Sequence, residues 1–249
     1  MLKKITQIGL AVFFVVIIYL LAANWFTYYS FGAFVLPASD TEYRHVFNYQ
    51  AATSSTLIYV SLGDSLTAGV GTTDYSQTYP YLIAEKMAGT STKVIHYNAS
   101  YPGARTHDIL DHLLVNAISQ KPDVVTLLIG TNDIHGHVSK KVFRETYEAI
   151  ISELINKTEA KINVISIPFI GTDSIFLPPY NYYYHYRILS FNKIIKEITI
   201  KNKVNYIDLT TPTAAYATKN SSYYAIDKFH PSELGYQYWF QIIYDNLNY

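Results

Sequence analysis

The chain has 249 residues, 49% hydrophobic and 15% charged, and its 19 basic and 19 acidic side chains balance to a formal net charge of zero. That balance leaves no electrostatic footprint for a nucleic-acid partner, and the absence of cysteine rules out disulfides, thiolate catalysis and cysteine-ligated metals. The length suits one large domain with a real core plus a short appendage, and no internal repeat divides it.

Ile5 to Ala23 carries no charged side chain. As a helix it would reach about 28 Å, close to the hydrocarbon thickness of a bilayer. Lys3 and Lys4 precede it and no further Lys or Arg follows until Arg44. The positive-inside bias therefore makes residues 1–25 a cytoplasmic start and single-pass anchor, with everything later outside the membrane. Trp25, Tyr28 and Tyr29 stand where an outer aromatic belt would lie. A cleaved secretory signal shares the basic start and apolar core, and Ala22-Ala23 supplies small residues. Against cleavage, Leu21 occupies the position two before Ala23 and the run is longer than a usual signal core, so the retained anchor is preferred. Residues 26–56 show no sustained period and end in Ala51-Ala52-Thr53-Ser54-Ser55-Thr56, the composition of an extracytoplasmic linker.

The domain assigned to residues 57–249 opens on Leu57-Ile58-Tyr59-Val60-Ser61-Leu62, a buried-strand run that breaks into Gly63-Asp64-Ser65-Leu66-Thr67-Ala68-Gly69. The glycines permit a sharp exit, which leaves Ser65 at a strand's carboxyl end. Gln77 to Ala88 has helical spacing and Lys93 to Asn98 alternates toward a second strand, ahead of the turn Asn98-Ala99-Ser100-Tyr101-Pro102-Gly103. Thr106 is placed to cap a helix whose Leu110, Leu113, Leu114 and Ala117 face inward. Val124 to Ile129 is the most hydrophobic strand, hence central, and it ends in Gly130-Thr131-Asn132-Asp133.

Val142, Phe143, Tyr147, Ile150, Ile151, Leu154 and Ile155 mark the next helix, followed by strand Ile162 to Ile167. A proline- and aromatic-rich loop leads to a helix over Tyr180 to Asn202 and then to strand Val204 to Leu209. Asp227-Lys228-Phe229-His230-Pro231 opens a last helix, with Pro231 at its first position and Leu234, Tyr238, Ile242 and Ile243 facing the core.

Five strands alternating with helices predict an α/β three-layer sandwich of flavodoxin type. The sheet is mostly parallel, in order 2-1-3-4-5, with helices on both faces. In that order Ser65 and Asn132 flank the crevice where the winding reverses.

A serine hydroxyl needs a base to take its proton, and donors where the carbonyl oxygen becomes negative. His230 is the base candidate, and Asp227, three residues earlier, can accept from its Nδ1 and fix the tautomer. The N–H groups of Ser65 and Gly103 and the side-chain amide of Asn132 are the donor candidates. Asp64 and Asp133, beside turns, are expected to bind backbone N–H groups rather than take part in chemistry. His135 and His137 form a His-x-His pair better suited to a solvated or substrate-facing loop than to a metal.

These residues resemble the SGNH hydrolases, also called the GDSL lipases and esterases. The four blocks are Gly63-Asp64-Ser65-Leu66 with Gly69, Asn98-Ala99-Ser100 running to Gly103, Gly130-Thr131-Asn132-Asp133, and Asp227-Lys228-Phe229-His230-Pro231, in the family's order. The resemblance covers roughly Leu57 to the carboxyl terminus. It implies nucleophile Ser65, base His230, orienting Asp227, an oxyanion hole of Ser65, Gly103 and Asn132, and no metal or cofactor. The second block is the loosest match.

Tyr180, Tyr182, Tyr183, Tyr184 and Tyr186, with Phe176 before them, form an aromatic run suited to an acyl chain or a sugar ring. Tyr180, Tyr183 and His135 are the substrate-binding candidates. The sequence thus predicts a membrane-anchored serine ester hydrolase acting outside the cytoplasm on a small-molecule, lipid or glycan ester. Deacetylation or acyl transfer on envelope polysaccharide is the alternative, and a non-catalytic carbohydrate- or lipid-binding module is the alternative of another class.

Overall fold

The computed structural model describes residues 2–32, 43–47, 55–89, 92–169, 171, 175–217 and 221–249. A long helix α1 (Leu2–Gly32) precedes β1 (Arg44–Phe47), β2 (Ser55–Gly63), the one-turn α2 (Ser65–Ala68), α3 (Tyr79–Met87) and β3 (Thr92–Ser100). Next come α4 (Thr106–Asp108), α5 (Leu114–Ser119), β4 (Val124–Leu128), α6 (Thr131–His135), α7 (Lys140–Lys157) and β5 (Lys161–Ile165). The chain closes with α8 (Tyr180–Asn202), β6 (Asn205–Ile207), α9 (Thr210–Ala217) and α10 (Glu233–Asp245).

The sheet has six strands in the order β1-β3-β2-β4-β5-β6, all parallel except β1, which runs antiparallel to β3. Its β3-β2-β4-β5-β6 portion is the expected 2-1-3-4-5 arrangement. The expected count of five strands is corrected to six by β1, which falls in the stretch read as linker. Four residues are too few to display alternation. What holds β1 is tertiary: it pairs from Arg44↔Tyr97 to Phe47↔Val94, His45 stacks on Tyr75 at 4.7 Å, and Phe47 meets Tyr81 edge-on at 4.8 Å. Much of the remaining 26–56 stretch lies outside the described residues, apart from the end of α1 and the start of β2.

Neighbouring residues of each central strand feed opposite layers, as the two-residue period of a strand requires. Val60, Leu62, Val125 and Leu127 pack with α5, α7 and α8, whereas Tyr59, Val124 and Leu128 pack with α3 and α10. Every residue of β4 is buried, in keeping with a central strand covered on both faces. The inward face of α7 is the expected Phe143, Tyr147, Ile150, Ile151 and Leu154, whereas Val142 in the first turn and Ile155 near the end, read as part of that face, are exposed. Ser139 caps the start by accepting from the N–H of Val142.

Other helical segments depart further from the expected faces. Along α10 the fully inward side is Tyr236, Trp239 and Ile243, while Leu234 is exposed, because the Tyr236 hydroxyl reaches across to donate to the Val70 carbonyl. Pro231 is not a first helical residue: it forms a bridge with Tyr224, and Ser232 caps α10 by accepting from the N–H of Gly235. Between α4 and α5 the chain makes a π turn over Ile109–Leu113, which rotates the following face so that Ile109, Leu114 and Ala117 are the buried residues.

Candidate active site

Three strand tips converge at the carboxyl edge of the sheet, and register explains why. Gly63 lies beside Ser100 on one flank and Leu128 on the other. Ser65, Gly103 and Asn132 each follow those aligned positions by two to four residues. They therefore emerge at one level, at the crevice between β2 and its neighbours.

The local chain sets each side chain. Gly63 has no room for a Cβ, which would lie 2.0 Å from Thr67 Oγ1 and 2.6 Å from the Leu128 carbonyl oxygen, so β2 can turn directly into α2. Asp64 caps that turn, its Oδ1 accepting from the N–H of Leu66 at 3.0 Å. Ser65 is thereby held at the helix's first residue, where backbone N–H groups have no intrahelical acceptor. Its side chain lies almost wholly buried in the crevice.

His230 arrives from a tight loop. The N–H of Ala225 donates to the His230 carbonyl at 2.8 Å, the N–H of Lys228 donates to the Ala225 carbonyl at 2.8 Å, and Lys228 adopts a left-handed φ of 59°. Gly71 supports this loop from below: at φ 109° its backbone packs so closely that a Cβ would fall 2.2 Å from the Pro231 carbonyl oxygen. The segment after the Ser65 turn thus grips the loop that carries His230.

The resulting line is continuous. Ser65 Oγ lies 2.9 Å from His230 Nε2, and His230 Nδ1 lies 2.6 Å from Asp227 Oδ2. The other carboxylate oxygen of Asp227 accepts from the N–H groups of Phe229 and His230, each at 3.0 Å. A carboxylate so fixed accepts only, so Nδ1 carries the proton and Nε2 is free to take one from the serine. Such an arrangement can generate a nucleophilic alkoxide and return its proton to a leaving group.

Asn132 Nδ2 donates to the Ala104 carbonyl at 2.9 Å, which orients the amide, and approaches Asp64 Oδ2 only at the 3.5 Å limit. Gly103 has φ 88° and open space around its Cα, so its backbone can approach a ligand closely. Asp64 and Asp133 each accept a backbone N–H, as expected of residues beside turns. Asp133 receives the N–H and hydroxyl of Thr106 at 3.0 and 2.6 Å, tying the β4 tip to α4, so that Thr106 serves as donor rather than cap. Burial pushes the Asp64 carboxyl up to about 7, with a smaller contribution from the charge of Asp133.

The aromatic wall differs in detail from the expected one. Tyr184 packs on Phe176 at 4.5 Å and on His135 at 5.2 Å, and His135 meets Phe229, the neighbour of His230, at 5.4 Å. Tyr183 sits at the rim against His137, and the Tyr180 hydroxyl turns away to the Leu20 carbonyl of α1 at 3.3 Å. Tyr182 and Tyr186 face solvent. Helical periodicity around Tyr184 and the buried Ile188 was the available signal for which tyrosine faces inward. Burial, with a smaller electrostatic effect of the His137 and His230 rings, pulls His135 down to about 4, so it is neutral near pH 7. No third ligand joins His135 and His137 in a metal-binding group among the described residues.

A family model described as the GDSL-like lipase/acylhydrolase family matches residues 61–238. A lipase/acylhydrolase from Enterococcus faecalis superposes with a TM-score of 0.64 at 26% identity, over 76% of this chain and 94% of its own. An acetyl xylan esterase, AlAXEase, shares the fold at TM-score 0.61 and 22% identity, over 77% of this chain and 100% of its own. The acetylxylan esterase Axe2 from Geobacillus stearothermophilus does so at 0.60 and 17%, over 79% and 96%. No curated protein sequence matches the chain.

Proposed function

Because the chain belongs to the GDSL-like lipase/acylhydrolase family, we propose that it cleaves carboxylic esters through a covalent acyl-serine intermediate. In this reading Ser65 is the nucleophile, His230 the base and Asp227 the group that orients it. The carrying observation is the unbroken line from Asp227 through His230 to Ser65, with bonds of 2.6 and 2.9 Å. Ser65 Oγ attacks the ester carbonyl carbon while His230 Nε2 takes its proton. The N–H groups of Ser65 and Gly103 and the amide of Asn132 receive the negative charge that collects on the carbonyl oxygen. Collapse breaks the bond to the alcohol, which leaves with the proton from Nε2. Water then enters by the same route, its proton passing to His230, and the acid departs from Ser65.

The wall of Phe176, Tyr184 and Phe229 beside His230 supports an acyl group with an apolar chain rather than acetate. His135 is assigned to the interior of the same wall and Tyr183 to its rim, whereas Tyr180, whose hydroxyl is turned to α1, is left out of it. Residues 1–25 are assigned as an anchor holding residues 57–249 outside the membrane. The support is a stretch, Ile5–Thr27, with mean hydropathy 2.5 and no buried share in its most apolar window.

Turnover of p-nitrophenyl esters of increasing chain length by wild type and Ser65→Ala tests the reading. It predicts hydrolysis extending beyond acetate that disappears in the variant. Activity confined to acetate would reject the apolar acyl group, and a Ser65→Ala enzyme as active as wild type would reject the mechanism.

A further inference from the structure

Helix α1 touches the rest of the protein along one stripe. Ala23 and Thr27 are buried and Leu20 partly so, at helical spacing, while large apolar side chains from Ile5 to Tyr29 stay exposed around them. The stripe meets the segment that leads into α8: the Tyr19 hydroxyl donates to the Pro178 carbonyl at 2.8 Å, and the Tyr180 hydroxyl to the Leu20 carbonyl at 3.3 Å. Thr27 Oγ1 lies 3.5 Å from the Ile175 carbonyl oxygen. At 1.5 Å per residue, Tyr19 stands about 21 Å and Thr27 about 33 Å along the helix from Ile5. A hydrocarbon core is about 30 Å thick, so an α1 that spans it from Ile5 would seat residues 175–180 in the outer leaflet, with Ile175 at the headgroup boundary and Pro178 and Tyr180 below it among the acyl chains.

Helix α8 starts at that level and carries an unexplained surface. Tyr182, Tyr186 and Leu189, at i, i+4 and i+7, are 70, 59 and 50% exposed and form one outward stripe. Lys140, Lys141, Arg144 and Lys193 flank it in a groove of about 650 Å³ between α7 and α8. Lys140 Nζ donates to the Tyr186 hydroxyl at 3.0 Å and sits over its ring. The groove's carboxylate, Glu197, is engaged by Arg144. Through Tyr184 the same helix reaches Phe176 and His135, which leads by Phe229 to His230.

We propose that the outward face of α8 is a second membrane contact, its Tyr182–Tyr186–Leu189 stripe seated in the outer leaflet and its basic rim on anionic headgroups, so that bilayer-borne esters reach Ser65 laterally. Aromatic side chains favour this interfacial level, and a basic margin matches an anionic lipid surface. The face is continuous with α1, which selects the bilayer as its occupant over a soluble partner. The proposal rests on the anchored-esterase reading above.

The test uses the full chain in nanodiscs of phosphatidylcholine with or without phosphatidylglycerol, comparing a long-chain ester dissolved in the bilayer with soluble p-nitrophenyl butyrate. In the combined variant Tyr182→Ser, Tyr186→Ser, Leu189→Ser, bilayer-ester turnover falls about tenfold or more while the soluble ester is cleaved within about twofold of wild type. Lys140→Gln with Lys193→Gln abolishes the rate gain given by phosphatidylglycerol. Unchanged bilayer-ester turnover in the triple variant overturns the proposal, whereas a wild type that cleaves neither ester overturns the esterase reading beneath it. Depth gives an independent readout, because the chain has no cysteine. A spin label on Tyr182→Cys should collide preferentially with oxygen and one on Glu159→Cys, at the far edge of the sheet, with an aqueous relaxant. A water-like label at residue 182 refutes the contact.

Discussion

Replacing Asp227 by Asn separates orientation of the imidazole from integrity of its loop. One carboxylate oxygen binds two backbone N–H groups at 3.0 Å, and the other binds His230 Nδ1 at 2.6 Å. An asparagine that keeps its oxygen on the two N–H groups presents its NH₂ to Nδ1, which must then accept. The proton moves to Nε2, where it points at Ser65 and the base is lost. The flipped amide restores the reactive tautomer but sets a donor against two N–H groups. With each unsatisfied buried donor costing about 1–3 kcal/mol, the productive form falls to roughly 10⁻² to 10⁻⁴ of the population. Loss of the charge that stabilises the imidazolium adds to this, for an expected drop in kcat/KM of about 10⁴-fold, or about 5.5 kcal/mol. The assay is p-nitrophenyl butyrate hydrolysis at neutral pH together with thermal unfolding, since the retained N–H bonds should hold Tm within a few degrees. A folded Asp227→Asn enzyme losing less than about tenfold would refute the argument that this carboxylate sets the tautomer.

Asn132→Ala removes the amide that the Ala104 carbonyl orients, and kcat should fall about 10²- to 10³-fold with KM little changed. Stopped at a threefold loss, the variant would show that Asn132 is not an oxyanion donor. His135 governs an acid response. Its folded value of about 4 lies below the ordinary 6.5, so between those values the unfolded chain binds a proton that the folded protein does not. Stability is therefore lost as pH falls through this window and is unaffected above it. Because the ring is only partly shielded from solvent, the loss attributable to it is on the order of 1–2 kcal/mol. Denaturant midpoints for His135→Gln should decline less than wild type from pH 6.5 to 4, with the buried His96 still drawing stability down in both. Parallel declines would remove His135 from the acid response.

What could be read from the chain was what local chemistry dictates. The apolar runs of β2 and β4, ended by Gly63 and Gly130, announced buried strands with polar tips, and strand–helix alternation then left few arrangements of the sheet. Ser65, Asn132 and His230 carried short motifs whose residue types the chemistry requires, so their convergence at one rim was legible before any distance was known. What could not be read depends on partners distant in sequence. β1 exists because β3 offers an open edge and Tyr75 and Tyr81 receive His45 and Phe47. The face of α10 is set by the reach of Tyr236 to Val70, and Pro231 is held by Tyr224. Among five tyrosines crowded between residues 180 and 186, helical spacing to Ile188 could single out Tyr184, but that it meets the wall while Tyr182 and Tyr186 point outward depends on how α8 packs.

Covalent capture tests the centre of the account most directly. Full-length protein is treated with a fluorophosphonate and digested, and the adduct is located by mass spectrometry. The geometry predicts a single phosphonyl group on Ser65, lost in His230→Ala because the hydroxyl then has no base to take its proton. An adduct on a different hydroxyl, or none on a preparation that still cleaves esters, would contradict the mechanism.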